Sequence, residues 1–145
     1  MTFLPYPDFK KSAETLDKKR CWSQTREAKQ ILNVLQGKTK GYKNHPAVLM
    51  WKGYENLLKH YYNVFLEHCV TVHNIKTEFQ YQQGLYSYGF YGKLITSEYA
   101  YNSKPFWLGQ EPFHRAMRAR LIEKNPEFYG PKFLDRDKGY NGGKY

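Results

Sequence analysis

The feature that most constrains the fold is a series of apolar residues that recur every three or four positions between Ala47 and about His73. Residues at this spacing share one face of an α-helix, because each residue advances about 100° around the helix axis. Polar and charged residues fill the positions between them. The pattern predicts one long central helix that begins after Asn44 and His45, with Pro46 in its first turn. Its apolar face comprises Met50, Trp51, Tyr54, Leu57, Leu58, Tyr61, Phe65, Cys69 and Val72.

Three further helices are predicted from capping residues and apolar spacing. We expect them over about residues 8–20, 23–36 and 111–124, with Asp8 and Ser23 as the caps of the first two. Together with the central helix, these segments predict an all-α fold. We therefore expect a compact helical bundle.

The region over about residues 80–107 follows no single period, since tyrosines and phenylalanines are interrupted irregularly by glycines. We interpret it as a long aromatic-rich loop with some helical turns, and a two-stranded hairpin around Gly89 is the alternative. Residues 135–145 are polar and glycine-rich and are expected to form a flexible tail. The length fits one domain over residues 1–145.

The composition points to a polyanionic partner. The chain has 23 Lys and Arg against 13 Asp and Glu, a formal net charge of +10, and 14 Tyr, 9 Phe and 3 Trp. Positive charge attracts nucleic acid, and aromatic side chains can stack on unpaired bases. A basic surface without a specific ligand is the alternative interpretation. No apolar stretch is long enough to span a bilayer, so no membrane association is expected.

The cysteines and histidines do not favour a metal site. Cys69 and His73 stand four positions apart on the central helix, but no second ligand pair has suitable spacing. Cys69 is better interpreted as a core residue. With only Cys21 and Cys69, and no leader-like start, we expect a cytoplasmic protein without disulfides. The glycines also lack the spacing of a phosphate-binding loop.

Thr2 and Glu27 are the candidate reactive groups. Thr2 is small enough for removal of Met1, which would leave it with a free α-amino group. Such an amine titrates near about 7.7 to 8.0, against about 10.4 for lysine, so more of it is unprotonated at neutral pH. Glu27 lies on the flank of the apolar stripe of its helix and can border a cleft. Its alternative role is to complement the helix dipole.

Motifs along most of the chain resemble the pyrimidine-dimer DNA glycosylase family of the endonuclease V type, most closely its small bacterial branch. The motifs are Thr2 to Phe9, Leu16-Asp17, Lys19-Arg20, Gln24 to Glu27, Gln30 to Leu32, Asn44 to Ala47, Met50-Trp51, Gly53 to Glu55, His114-Arg115, Arg118, Leu121, Lys124, Pro126 and Tyr129. The resemblance implies a helical protein in which the Thr2 amine attacks the damaged nucleotide, assisted by Glu27 beside Arg26. The chain departs from the family pattern at two positions: Phe3 and Gln30 stand where the family has basic residues.

The resemblance also implies a substrate and a mechanism. The expected partner is double-stranded damaged DNA, bound by a monomer in the cytoplasm, at the nucleoid or in a host cell if the protein is viral. A damaged pyrimidine, such as a cyclobutane dimer, would be excised through a Schiff base, followed by strand cleavage through AP lyase activity. No metal, nucleotide or redox cofactor is required. The implied DNA contacts are Arg20, Arg26, Asn44, His45, His114, Arg115, Arg118 and Lys124.

Two other functions remain open on the same scaffold. The departures at Phe3 and Gln30 favour a DNA-binding protein that has lost turnover. A glycosylase for another modified pyrimidine is the second. Trapping of a covalent adduct distinguishes an enzyme from a DNA-binding protein without turnover. A panel of defined lesions distinguishes a dimer glycosylase from a glycosylase for another modified pyrimidine.

Overall fold

The computed structural model describes residues 2–83, 87–88, 94–95 and 105–141. Six α-helices lie within these ranges: α1 (Phe9–Thr15), α2 (Lys18–Leu35), α3 (Pro46–Trp51), α4 (Glu55–Thr71), α5 (Glu111–Lys124) and α6 (Pro126–Tyr129). The prediction of an all-α fold is confirmed. In the aromatic-rich region, Ser87–Tyr88 (β1) pairs with Leu94–Ile95 (β2) in antiparallel register. This pairing favours the hairpin alternative, although Gly89 and most of the remaining loop lie outside the described residues.

The boundary between the first two helices differs from the prediction. Helix α1 ends at Thr15, and α2 runs unbroken through Ser23, which is therefore not a cap. The chain is extended at Asp17, whose N–H donates to the hydroxyl of Tyr129 at 3.1 Å. The Tyr129 hydroxyl in turn donates to the Asp17 carboxylate. A contact over 112 residues thus sets this boundary, and local sequence does not reveal it.

The prediction of a single long central helix is wrong, because the helix is interrupted between α3 and α4. Gly53 has a φ of +87°, which lies outside the right-handed helical region. The predicted start is confirmed: Pro46 opens α3, and Nδ1 of His45 accepts a hydrogen bond from the Ala47 N–H at 3.1 Å. The bounds predicted for the last helix are those of α5.

The core forms where α4 packs against α1 and α2. Tyr61 and Phe65 of α4 are fully buried, with stacked rings 4.1 Å apart. Cys69 is also buried and its Sγ lies 3.3 Å from that of Cys21, so its interpretation as a core residue is confirmed. Among the described residues, no group of three His, Cys, Asp or Glu side chains could hold a metal ion. None of the described helices has the length and apolarity that crossing a bilayer requires.

The first residues of the predicted tail are packed rather than loose. Asp135–Asp137 form a 3₁₀ turn, and Asp137 is 1% exposed. Its carboxylate lies 3.0 Å from Nε of Arg118 and 3.3 Å from Nε of Arg115 on α5. A buried carboxylate with two cationic partners fixes this turn against the helix.

Candidate active site

The N-terminal segment is held in place by side chains from three different helices. Thr2 is fully buried, and its hydroxyl accepts a hydrogen bond from the indole N–H of Trp51 at 3.2 Å. The Phe3 N–H donates to Oε1 of Gln24 at 2.7 Å, and the Phe3 carbonyl accepts from the hydroxyl of Tyr61 at 3.0 Å. Burial raises the pKa of Tyr61 well above its usual range, which keeps this hydroxyl a neutral donor.

The next two residues of the segment are held by α5. His114 is fully buried, and its Nε2 accepts from the Gly109 N–H at 2.9 Å. The ring proton is therefore on Nδ1, which donates to the Leu4 carbonyl at 2.8 Å. Burial also lowers the pKa of His114, in agreement with a neutral ring. Nη1 of Arg118 donates to the Pro5 carbonyl at 2.8 Å.

Arg118 and His114 therefore act inside the protein. Arg118 is only 5% exposed and pairs with Asp137 and Glu111. Although burial acts to lower its pKa, the hydrogen bonds and charges of these two carboxylates raise it. From the sequence of the last helix, Arg118 is expected on its outer face; this prediction is wrong, because the residue is buried. DNA contact is not supported for either residue, because their polar atoms hold the N-terminal segment.

Gln24 joins this segment to Glu27. Its side chain is 3% exposed, and its Nε2 donates to Oε2 of Glu27 at 3.2 Å. The same amide accepts from the Phe3 N–H through its oxygen. The candidate nucleophile Thr2 and the candidate carboxylate Glu27 are thus connected through a single buried side chain and one backbone N–H.

Glu27 lies at a cleft between α2 and the α2–α3 loop. The cleft has a volume of about 480 Å³, within the range of about 300 to 1,000 Å³ common for small-ligand sites. It is lined by Ser23, Arg26, Glu27, Gln30, Ile31, Tyr42, His45 and Ala47. The predicted residues Arg26, Glu27 and His45 are therefore brought together, and Gln30, one of the two departures, lies among them.

The other predicted DNA contacts lie outside this lining. Asn44 is exposed in the turn before α3, and Lys124 is exposed with its Nζ 5.9 Å from the centre of the Phe3 ring. Arg20 lies 3.3 Å from the Asp17 carboxylate. Arg115 lies beside Asp137, and its guanidinium is 4.1 Å from the centre of the Tyr140 ring. Arg20 and Arg115 thus already have acidic partners.

Sequence reasoning missed three residues of the site. Gln24 precedes Glu27 by three positions, and this spacing on a helix was a usable signal for a side-chain pair. Periodicity places Tyr61 on the apolar face but does not reveal that its hydroxyl has a buried partner. Tyr42 lies outside every predicted helix, yet it is 67% exposed at the cleft and its backbone is left-handed, with φ +64°.

Comparison with known proteins identifies a family for the N-terminal part of the chain. A family model described as pyrimidine dimer DNA glycosylase matches residues 1–83, more than half of the 145 residues. The matched range includes Thr2, Gln24, Glu27 and the lining of the cleft. Residues 114–129, which also carry the resemblance, lie beyond the match. No curated protein and no solved structure matches the chain.

Proposed function

The chain belongs to the pyrimidine dimer DNA glycosylase family, and on that premise we propose that it excises a damaged pyrimidine through a Schiff base on Thr2 and then cleaves the strand as an AP lyase. A cyclobutane pyrimidine dimer is the proposed lesion. The observation that carries the proposal is the fixed N-terminal segment. Chain termini usually fray, but residues 2–5 are held by side chains of α2, α3, α4 and α5. Gln24 joins this segment to Glu27, which lines the cleft together with Arg26.

In the proposed first step, removal of Met1 leaves the Thr2 nitrogen as a primary amine. The hydroxyl of Thr2 accepts a hydrogen bond from the Trp51 indole, and the amine is the proposed reactive group. Its lone pair forms a bond to C1′ of the damaged nucleotide as the bond to the base breaks, and the base leaves with the electron pair. The Glu27 carboxylate stabilises the positive charge that develops on the sugar.

The second step cleaves the strand. Transfer of a proton from the attached amine to the ring oxygen O4′ lets the C1′–O4′ bond break, and the nitrogen lone pair then forms an iminium linkage between Thr2 and C1′ of the opened sugar. Glu27 assists removal of a proton from C2′, the bond between C3′ and its phosphate oxygen breaks, and the phosphate departs as the leaving group. Water then hydrolyses the linkage and restores the amine. This sequence is metal-independent.

The proposed DNA interface consists of Arg26, Asn44, His45 and Lys124, with Arg20 and Arg115 as secondary contacts. Arg26 is exposed and makes no ion pair with the described residues, so its charge is available to a phosphate. Burial, and after it the charge of Lys38, lowers the pKa of Lys29. The two lysines add to the positive charge that favours a polyanionic partner.

The proposal is tested by reductive trapping. Protein of verified N-terminal mass is incubated with duplexes that carry a cyclobutane dimer or an abasic site, in the presence of borohydride. We expect a covalent adduct with each duplex. Glu27→Gln should bind the dimer duplex with unchanged affinity but release little base, and a permanent N-terminal extension should abolish both trapping and cleavage. Normal cleavage by the extended protein would rule out the Thr2 amine.

Gln30 favours a second candidate, excision of a different modified pyrimidine. Its uncharged side chain lines the cleft where the family pattern has a basic residue. A panel of duplexes with single defined lesions distinguishes the two: the second candidate requires an intact dimer and release of another base. A protein that binds every duplex but is trapped on none would instead be a DNA-binding protein without turnover.

A further inference from the structure

Gln24 contacts both the N-terminal segment and Glu27: its Oε1 lies 2.7 Å from the Phe3 nitrogen, and its Nε2 lies 3.2 Å from Oε2 of Glu27. The Phe3 backbone nitrogen can only donate, so the atom of Gln24 that faces it is the carbonyl oxygen. The amide nitrogen must then face Glu27 and donate to its carboxylate. The orientation of this amide is therefore fixed by its chemistry.

Two more features hold Gln24 in place. The Tyr61 hydroxyl lies 3.2 Å from its Oε1 and 3.0 Å from the Phe3 carbonyl, so the phenol closes a ring of contacts around the amide. The side chain is 3% exposed, and a buried amide is costly to leave without partners. Rotation of Gln24 would break its contacts with both Phe3 and Glu27, which makes other rotamers unfavourable.

We propose that Gln24 is a positioning residue: it holds the Glu27 carboxylate at a fixed place relative to the N-terminal amine. This inference rests on the proposed function. Base displacement requires the amine to approach C1′ on one side while the carboxylate faces the developing cation. A displacement of about 1 Å in such an arrangement can cost about 100-fold in rate. Gln24 acts through Glu27 and itself touches neither sugar nor base.

The test uses two substitutions that separate the two roles of the Gln24 amide, as acceptor for the Phe3 N–H and as donor to Glu27. Gln24→Met keeps the length and shape of the side chain but removes its hydrogen bonds with Phe3, Glu27 and Tyr61. Gln24→Glu keeps an acceptor for the Phe3 N–H, removes the donor to Glu27 and places a second carboxylate beside it. Gln110→Met is the matched control, since Gln110 is exposed before α5 and its side chain forms no capping bond.

Three quantities are measured well below the melting temperature of each variant: affinity for dimer DNA, the single-turnover rate of base release, and the rate of trapping on an abasic duplex. The abasic sugar is already an aldehyde, so trapping there requires the amine but no base displacement. We expect both Gln24 variants to release base about 10- to 100-fold more slowly, while affinity and abasic trapping change less than about threefold. Gln110→Met should match the unmodified protein.

A double-mutant cycle provides a readout that a purely structural role would not give. If Gln24 acts through Glu27, Gln24→Met in a Glu27→Gln background should slow base release by less than about twofold further. Equal losses in affinity, trapping and base release would indicate a folding defect and overturn the inference. Base release by both variants at the unmodified rate would overturn it too, with the proposed function intact. If the unmodified protein is trapped on neither duplex, the proposed function fails first.

Discussion

Arg26 is the residue whose position most directly predicts a measurable interaction with DNA. It is exposed at the cleft beside Glu27 and has no ion-pair partner among the described residues. We expect Arg26→Gln to weaken binding to damaged and undamaged duplexes alike. The slope of log affinity against log salt concentration should fall by about 0.9, the value for one phosphate contact.

The matched control for Arg26 is Arg120→Gln, because Arg120 is an exposed arginine that does not line the cleft. Titrations at several salt concentrations should give this variant a slope closer to that of the unmodified protein. Identical slopes for the Arg26 variant and the unmodified protein would remove Arg26 from the proposed interface. The comparison therefore tests the position of the charge as well as its presence.

Tyr42 combines an exposed ring with an unfavourable backbone conformation. A left-handed conformation costs about 1–2 kcal/mol for a residue with a side chain, and glycine avoids this cost. Base stacking on an aromatic ring is worth about 1–3 kcal/mol. Glycine also loses more backbone entropy on folding, which offsets the relief of strain, so we expect Tyr42→Gly to change the free energy of unfolding by less than about 1 kcal/mol. Affinity for lesion DNA should fall about 5- to 150-fold.

Chemical denaturation and DNA titration of the same Tyr42→Gly preparation separate the two effects. Tyr42→Asn supplies the control, since asparagine tolerates a left-handed backbone but offers no large ring. It should bind as weakly as the glycine variant. Unchanged affinity in both variants would show that the ring does not contact DNA.

At the residue scale, sequence reasoning found the groups on the surface of the site better than those beneath it. Helical spacing placed Glu27 on a flank, and the structure has it at a cleft. The same spacing assigned Arg118 to the outer face, because periodicity describes one helix and not what packs against it. Arg118 is buried since the Pro5 carbonyl and two carboxylates require its donors. These partners come from three separate parts of the chain.

Among the elements, the break between α3 and α4 allows a sharp test of backbone conformation. Gly53 has φ +87°, and a methyl group there would meet no atom within 4 Å. Gly53→Ala therefore lowers the free energy of unfolding through backbone strain alone, by about 1 kcal/mol. Denaturation of Gly41→Ala is the control, because Gly41 has equally open space but no left-handed φ. Equal stability of the two variants would contradict the strain argument.

The boundaries of the elements were predictable only where the stop signals are local. Helix α5 was predicted correctly because Pro126 follows shortly after its end. Gly53 is also a local signal, but the apolar spacing continues across it and favours one helix over two. The start of α2 depends on contacts between Asp17 and Tyr129, which no sequence window contains.

For the whole molecule, stability should depend on pH through the packing of α1 against α4. His60 of α4 is 9% exposed, and its ring lies 5.3 Å from that of Phe9 on α1. Burial lowers the pKa of His60 to about 4, although the charge of Asp8 acts to raise it. The unfolded chain, with a histidine pKa near about 6.5, binds this proton first as the pH falls. The contribution of the buried neutral His60 to the free energy of unfolding is therefore fully present above pH 6.5 and is lost between pH 6.5 and 4.

Between pH 7.5 and 5, protonation of His60 in the unfolded chain should remove about 2 kcal/mol from the free energy of unfolding. Urea denaturation at several pH values measures this slope. His60→Phe keeps an aromatic ring against Phe9 but cannot titrate, while His68 and His114 remain in both proteins. The difference between the two pH profiles therefore isolates His60. Parallel profiles would mean that His60 is hydrated in the folded protein, because only a desolvated imidazole resists protonation in this range.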